Sequence, residues 1–148
     1  MDDTLLAVLH HLLVFGLAIM LATQLALLRP GLDAADLRRI GAIDAGYGLT
    51  AGLIVLVGLV RVWFGAKGPD YYGDNVWFWA KMAAFAGVGL LSIPPTIAFI
   101  RWRKALRADP AALPSAEAVG GIRRLLRLEV GLMLVIPVFA AVMARHQG

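Results

Sequence analysis

The chain has 148 residues, 60% of them hydrophobic and 16% charged, with a mean hydropathy of +0.77. Soluble domains hold ~45–50% apolar residues, so an ordinary soluble domain is excluded and lipid becomes the solvent to reason with. The lack of cysteine excludes disulfides, thiolate metal sites, cysteine-ligated iron–sulfur clusters and cysteine nucleophiles, and the net charge of +4 comes with no nucleic-acid motif, so it reads as a topology signal beside anionic lipid.

The first apolar stretch runs from about 5 to 28. It follows the acidic start Met1-Asp2-Asp3 and exceeds the ~7–15 apolar residues of a signal peptide, which predicts a retained transmembrane helix. His10 and His11 lie one to two turns below its start. Gln24 follows His10 by a spacing that leaves the two about 40° apart, on one face, whereas His11 points about 100° away. Pro30-Gly31 ends this helix, and the connection Arg29–Gly41 carries Arg29, Arg38 and Arg39.

The second stretch, about 42–64, holds Asp44, Tyr47 and Arg61. Asp44 and Arg61 stand at the two ends of a stripe of three- and four-residue steps through Gly48, Ala51, Val55 and Gly58. Gly48 and Gly52 form a GxxxG step, expected to pack inside the bundle, with a homodimer face as the alternative. The next connection, Gly65–Asn75, has Lys67 as its one basic residue. Trp63, Tyr71, Tyr72, Trp77 and Trp79 gather around it as an interfacial aromatic belt.

The third stretch, about 76–100, places Lys81 and Ser92 about 20° apart. Its Pro94-Pro95 and the later Pro137 predict kinks or unpaired carbonyls. The segment Arg101–Arg127 carries Arg101, Arg103, Lys104, Arg107, Arg123, Arg124 and Arg127, is broken by Pro110 and Pro114, and has a helix start near Ala116 in Ser115 and Glu117. The fourth span, about 122–144, holds Arg127 and Glu129. Each span reaches the ~20 residues needed to cross ~30 Å of hydrocarbon.

These elements predict an all-α, four-helix transmembrane bundle forming one domain over residues 1–148. Ten of the 14 basic residues fall in the first and third connections, which the positive-inside rule assigns to the cytoplasm. Both termini then face outward, on the periplasmic side of a bacterial inner membrane.

Polar residues at membrane depth are the candidates for function. They sort into an outer level of His10, His11, Arg61 and Lys81 and an inner level of Gln24, Asp44, Tyr47, Arg127 and Glu129, about 20 Å apart. A neutral imidazole in such a bundle is a familiar axial ligand of haem iron. The leading reading is therefore a haem-b or porphyrin-binding redox protein with an oxidase activity. His10 is the first choice of ligand and His11 the second; Arg61 and Lys81 contact the propionates, and the inner level carries protons or holds the helix ends. A second histidine on another helix is missing apart from His146 in the tail. Catalytic residues are not assigned. The alternatives are a copper- or proton-coupled transport module and a non-catalytic assembly subunit. Copper would draw on Met20, Met82, Met133 and Met143 with the histidines. Expected partners are the bilayer, a second copy, and a quinone or porphyrin.

The run from Asp44-Ala-Gly-Tyr-Gly-Leu to Arg61, then Gly65-Ala-Lys-Gly-Pro-Asp-Tyr-Tyr, Asn75-Val-Trp-Phe-Trp-Ala-Lys-Met and Val88-Gly-Leu-Leu-Ser-Ile-Pro-Pro-Thr through Arg101-Trp-Arg-Lys, resembles a bacterial membrane family, domain-of-unknown-function family 2214. That resemblance covers nearly the whole chain and implies a four-helix inner-membrane protein with no assigned activity. A more distant resemblance is to HemJ-type protoporphyrinogen oxidases and CopD-like membrane domains. It rests on His10 or His11, on Trp77 or Trp79 with Lys81, and on Arg124 or Arg127 with Glu129. The chain departs from the HemJ pattern in lacking an asparagine beside that glutamate and a proline soon after. It also lacks the Leu-Pro-Arg-Leu segment that ends the first helix in that pattern. The resemblance implies haem or porphyrin binding more than protoporphyrinogen oxidation.

Overall fold

The computed structural model describes residues 3–64 and 68–145. It contains α1 (Asp3–Leu27), α2 (Ala34–Phe64), α3 (Gly68–Gly73), α4 (Val76–Ala108) and α5 (Ala116–Arg145), with no strand among the described residues. The four long helices are each long and apolar enough to cross a membrane. α1 packs on α2 and α5, and α4 packs on α5 and α2, so α1–α4 and α2–α5 are the diagonals of a square bundle. The short α3 caps the end where α1 starts and α5 finishes. The opposite end carries the two basic turns.

Two helices reach further than the apolar runs predict. Residues 34–41, read in sequence as loop, are the first turns of α2. Asp33 is the reason: its Oδ1 accepts the backbone N–H of Asp36 at 2.7 Å, satisfying a donor the helix start leaves free. Leu37 and Ile40 then bury against Leu28 and Leu32, and Gly31 makes the turn between the helices at φ +79°. α4 likewise continues through Arg101, Arg103 and Lys104 to Ala108, so the connection to α5 shrinks to residues 109–115, the stretch that Pro110 and Pro114 bound. α5 starts at Ala116 as expected, with Ser115 Oγ accepting the N–H of Ala118 at 3.2 Å. Helical structure runs unbroken through Pro94, Pro95 and Pro137. α3 lies where the sequence predicts only a connection.

The apolar core is a column of Leu17, Leu21, Ile54, Val88 and Met133 with Phe99 and Leu126 toward the basic end. Around it the bundle surface is itself apolar: Leu12, Phe15, Leu49, Leu56, Leu90 and Leu134 are among the exposed side chains. In water that surface would be an aggregation hazard; in lipid it is the solvated face.

The glycines correct one expectation. Gly48 and Gly52 face outward, and a Cβ at either would meet nothing within 4 Å. The GxxxG step therefore does not pack inside the bundle. Close approach occurs instead at Gly87, where a Cβ would sit 2.8 Å from Leu132 Cδ2 across the α4–α5 contact. The buried stripe of α2 runs through Asp44, Tyr47 and Ile54, with Gly58 and Arg61 half-buried beyond it.

Two predictions follow from this packing. Gly48→Ala and Gly52→Ala will be neutral or stabilising by up to about 1 kcal/mol each, while Gly87→Leu will cost about 1–3 kcal/mol by overpacking. Thermal unfolding of the detergent-solubilised protein reads both, and a loss at Gly48 or Gly52 comparable to that at Gly87 would contradict the arrangement. At Asp33, the accepted Asp36 amide holds the carboxyl below the usual carboxylate range. Its capping contribution is therefore present above the ordinary Asp value and lost as pH falls through the lower folded-state one. The melting temperatures of wild type and Asp33→Ala should differ near neutrality and converge as the pH is taken down through the carboxylate range.

Candidate functional site

Near the basic end, α2, α4 and α5 bring polar groups together inside the bundle. Glu129 on α5 is 1% exposed and Tyr47 on α2 is 5% exposed. The Tyr47 hydroxyl donates to Glu129 Oε1 at 2.6 Å, a bond that spans the diagonal of the square. One turn earlier on α2, Asp44 accepts a hydrogen bond from Thr96 Oγ1 of α4 at 3.0 Å. Thr96 follows Pro94-Pro95 on α4, with Pro95 buried and Pro94 exposed.

Two further groups lie toward the same end of the bundle. Gln24 on α1 is 1% exposed, and its Nε2 has no hydrogen-bond partner; the second carboxylate oxygen of Glu129, Oε2, also has none. A donor and an acceptor are thus left open at membrane depth, where each unsatisfied group is costly. Arg103 lies across α2 at Gly41: its Cδ, Nε and Nη1 fill the space that a Cβ there would need. Glycine at this position lets the guanidinium cross the helix one turn from Asp44, whose carboxylate its charge reaches. The Asp44 charge in turn acts on Tyr47 and Glu129.

Arg127, expected in this network, stands exposed on the outside of α5. Its neighbour Arg123 is the arginine that turns inward. Arg123 Nη1 donates to the Leu25 carbonyl at 2.9 Å and to that of Leu28, so a cation from α5 satisfies the last carbonyls of α1. Thr96, Arg103 and Arg123 are the residues that sequence reasoning missed. Phase was the available signal for two of them: Thr96 lies one turn beyond Ser92, and Arg103 follows Thr96 by seven residues, about 20° off its face. Ser92 itself bonds back to Gly89 within α4.

At the α3 end, the other level also assembles in part. His10 faces α2, its Cε1 lying 3.7 Å from where a Cβ on Gly58 would be, and its Nδ1 is buried without a partner. Arg61 Nε is buried and unpartnered too. Lys81 of α4 lies with Nζ 5.1 Å from the Phe78 ring centre. The charges of Arg61 and Lys81 both act on His10, and that of Arg61 acts on Lys81. His11 does not join them. It is exposed on α1, its Nδ1 bonds the Ala7 carbonyl at 2.6 Å, and its ring stands at 88° to that of His10. Around this level Trp79 Nε1 donates to the Gly73 carbonyl at 2.9 Å and Tyr71 donates to that of Met143 at 3.1 Å, which fastens α3 to the bundle inside the expected aromatic belt. His146 lies outside the described residues.

Between the levels stands the apolar column. An apolar groove of about 320 Å³ opens between α1 and α5, lined by Phe15, Ile19, Leu21, Val130, Met133 and Leu134 among others. Its floor residues Leu21 and Met133 lie one helical turn from Gln24 and Glu129. The methionines are dispersed: Met133 is in the core, and Met20 Sδ is 3.5 Å from a Cβ position on Gly46. Among the described residues no three histidine or acidic side chains gather as a metal site.

The family described as predicted membrane protein (DUF2214) matches residues 2–148. No curated protein and no solved structure matches the chain, so the likeness to HemJ-type oxidases and CopD-like domains rests on the few residues quoted for it.

Removal of the phenol should therefore register as a buried loss. Tyr47→Phe is expected to destabilise the protein by about 1–3 kcal/mol, since both oxygens of Glu129 would then lack partners. The double variant Tyr47→Phe/Glu129→Leu should recover much of that loss, because it removes the orphan with its partner. Additive destabilisation in thermal unfolding of the four proteins would contradict the pairing.

Proposed function

The chain belongs to the predicted membrane protein family DUF2214, and from that premise we propose that it is a proton-exchanging membrane protein that binds a small amphipathic molecule dissolved in the bilayer. One observation carries the reading. Glu129 is enclosed at membrane depth with one oxygen held by Tyr47 and the other open. Intramembrane carboxylates in a bundle interior are typical of proton relays. Glu129 Oε2 is the atom that gains and loses the proton, and Tyr47 fixes the orientation of the carboxyl group. Asp44, held by Thr96, sets the field around it and takes its tone from Arg103.

The groove between α1 and α5 supports an amphipathic partner. Its wall is apolar and open to lipid, and its floor is a turn from the unpartnered Gln24 donor. A quinone or porphyrin has the matching form, an apolar body with polar acceptors at one end. The ten basic residues at the Asp44 end support placing that end on the cytoplasmic side of a bacterial inner membrane.

Haem b does not fit the histidines well. A haem ligand must face a space as wide as the macrocycle, yet His10 turns toward the backbone of α2 and His11 toward lipid. Neither has a second described histidine opposite it.

A second reading is favoured by Gly48 and Gly52, which leave an outward face of α2 without side-chain bulk. Such faces let helices approach closely in lipid. It supports assembly with a second copy through α2.

The test of the leading reading is proton movement. In liposomes with an internal pH dye and an imposed pH gradient, the wild-type chain should exchange protons faster than empty liposomes. Glu129→Gln should reduce the rate about tenfold or more, and Asp44→Asn by less. Equal rates for wild type and Glu129→Gln would overturn the proposal.

A further inference from the structure

At the α3 end three helices each present a donor or a cation. Arg61 comes from α2, His10 from α1 and Lys81 from α4. Arg61 is central, because its charge acts on both of the others. Among the described residues the ion pairs, Arg29–Asp36 and Arg39–Asp36, both lie at the opposite end of the bundle. Arg61 Nε and His10 Nδ1 are buried and have no hydrogen-bond partner. Asp70 and Asp74 stand exposed at this end, but among the described residues no acidic side chain pairs with Arg61 or Lys81; a partly buried cation without a counter-charge is costly, so the cluster calls for an anion.

We propose that the α3 end of the bundle binds a phosphate group, held by Arg61, Lys81 and His10. Depth supports the choice. Arg61 lies three residues inside the end of α2 and Lys81 five inside the start of α4, about 5–8 Å along the helices. The exposed rings of Trp63 and Trp79 and the half-buried Tyr71, Tyr72 and Trp77 flank the same level. Such rings collect at the headgroup level of a bilayer, where phosphate is the abundant anion. Chemistry supports it as well. Guanidinium is the side chain best suited to a phosphate oxygen pair, ammonium adds a point charge, and imidazole adds a directional donor. Gly58 leaves His10 the room to face α2. Donors arriving from three helices suit a tetrahedral oxyanion better than a planar carboxylate. The phosphate is either that of a lipid headgroup or that of a small soluble molecule. This site is independent of Glu129 and of the proton-exchange reading.

The experiment uses the full chain purified in a maltoside detergent and washed until its phosphorus content is constant. Thermal unfolding is then titrated with inorganic phosphate and, separately, with a short-chain phosphatidylglycerol; chloride at equal ionic strength is the reference. Wild type should be stabilised by one or both phosphate probes beyond chloride. Arg61→Gln/Lys81→Gln should bind at least about tenfold more weakly, and Arg61→Lys should keep most of the effect, which guards against a variant that merely misfolds. Stabilisation by the lipid alone assigns the site to a headgroup. Stabilisation by inorganic phosphate as well assigns it to a phosphate group whatever its carrier. No stabilisation of wild type beyond chloride, or equal stabilisation of wild type and the double variant, overturns the proposal.

Discussion

Hydrocarbon offers no hydrogen bonds, and that constraint organises this molecule. Every polar group carried into the bundle must find a partner among the helices or remain costly. The pair that meets this demand most centrally is Tyr47 and Glu129, which joins the two diagonal helices that do not otherwise pack together. Asp44 with Thr96 ties α2 to α4 on one side of it, and Arg123 ties α5 to the last carbonyls of α1 on the other. Polar contacts in lipid are worth modest amounts each, of order 1 kcal/mol. Their value lies in register: a slip of α5 by one residue would turn Glu129 toward lipid.

The same constraint identifies what is left over. Gln24 Nε2, Glu129 Oε2, His10 Nδ1 and Arg61 Nε are buried without partners, two at each end of the bundle. An apolar column of Leu17, Leu21, Ile54, Val88 and Met133 separates them. The molecule thus has two distinct polar ends of opposite character, a carboxylate centre near the basic loops and a cationic cluster near α3. Function is assigned most economically to those four open atoms, since packing explains nearly everything else.

Much of the fold was legible because the membrane signal is long and redundant. Four apolar spans, the Pro-Gly turn after α1 and the Ser115 start of α5 all stand as read. What escaped was helix outside the apolar runs. Hydropathy ends where Arg38 and Arg39 begin, but helix formation depends on caps and local burial, and Asp33, Leu37 and Ile40 carry α2 through the charged turns. The GxxxG step misled for a related reason: periodicity tells which residues share a face, not which way that face points, and Gly48 shares its side of α2 with exposed leucines. In the site, depth and phase grouped Gln24, Asp44, Tyr47 and Glu129, and of these the structure joins Tyr47 to Glu129 directly. They could not separate Arg127 from Arg123, four residues apart and similar in phase, because the choice rests on where the open carbonyls of α1 fall. Nor could they show that adjacent histidines divide, one to the bundle and one to lipid.

The central claim is that Glu129 is an exchangeable proton site held by Tyr47. The most direct test is the infrared spectrum of the full chain in lipid bilayers across a pH series, comparing wild type with Glu129→Gln and Tyr47→Phe. The account predicts a protonated-carboxyl band that titrates with pH, vanishes in Glu129→Gln, and moves to the position of a weaker hydrogen bond in Tyr47→Phe. A wild-type spectrum that matches Glu129→Gln throughout the series would contradict it.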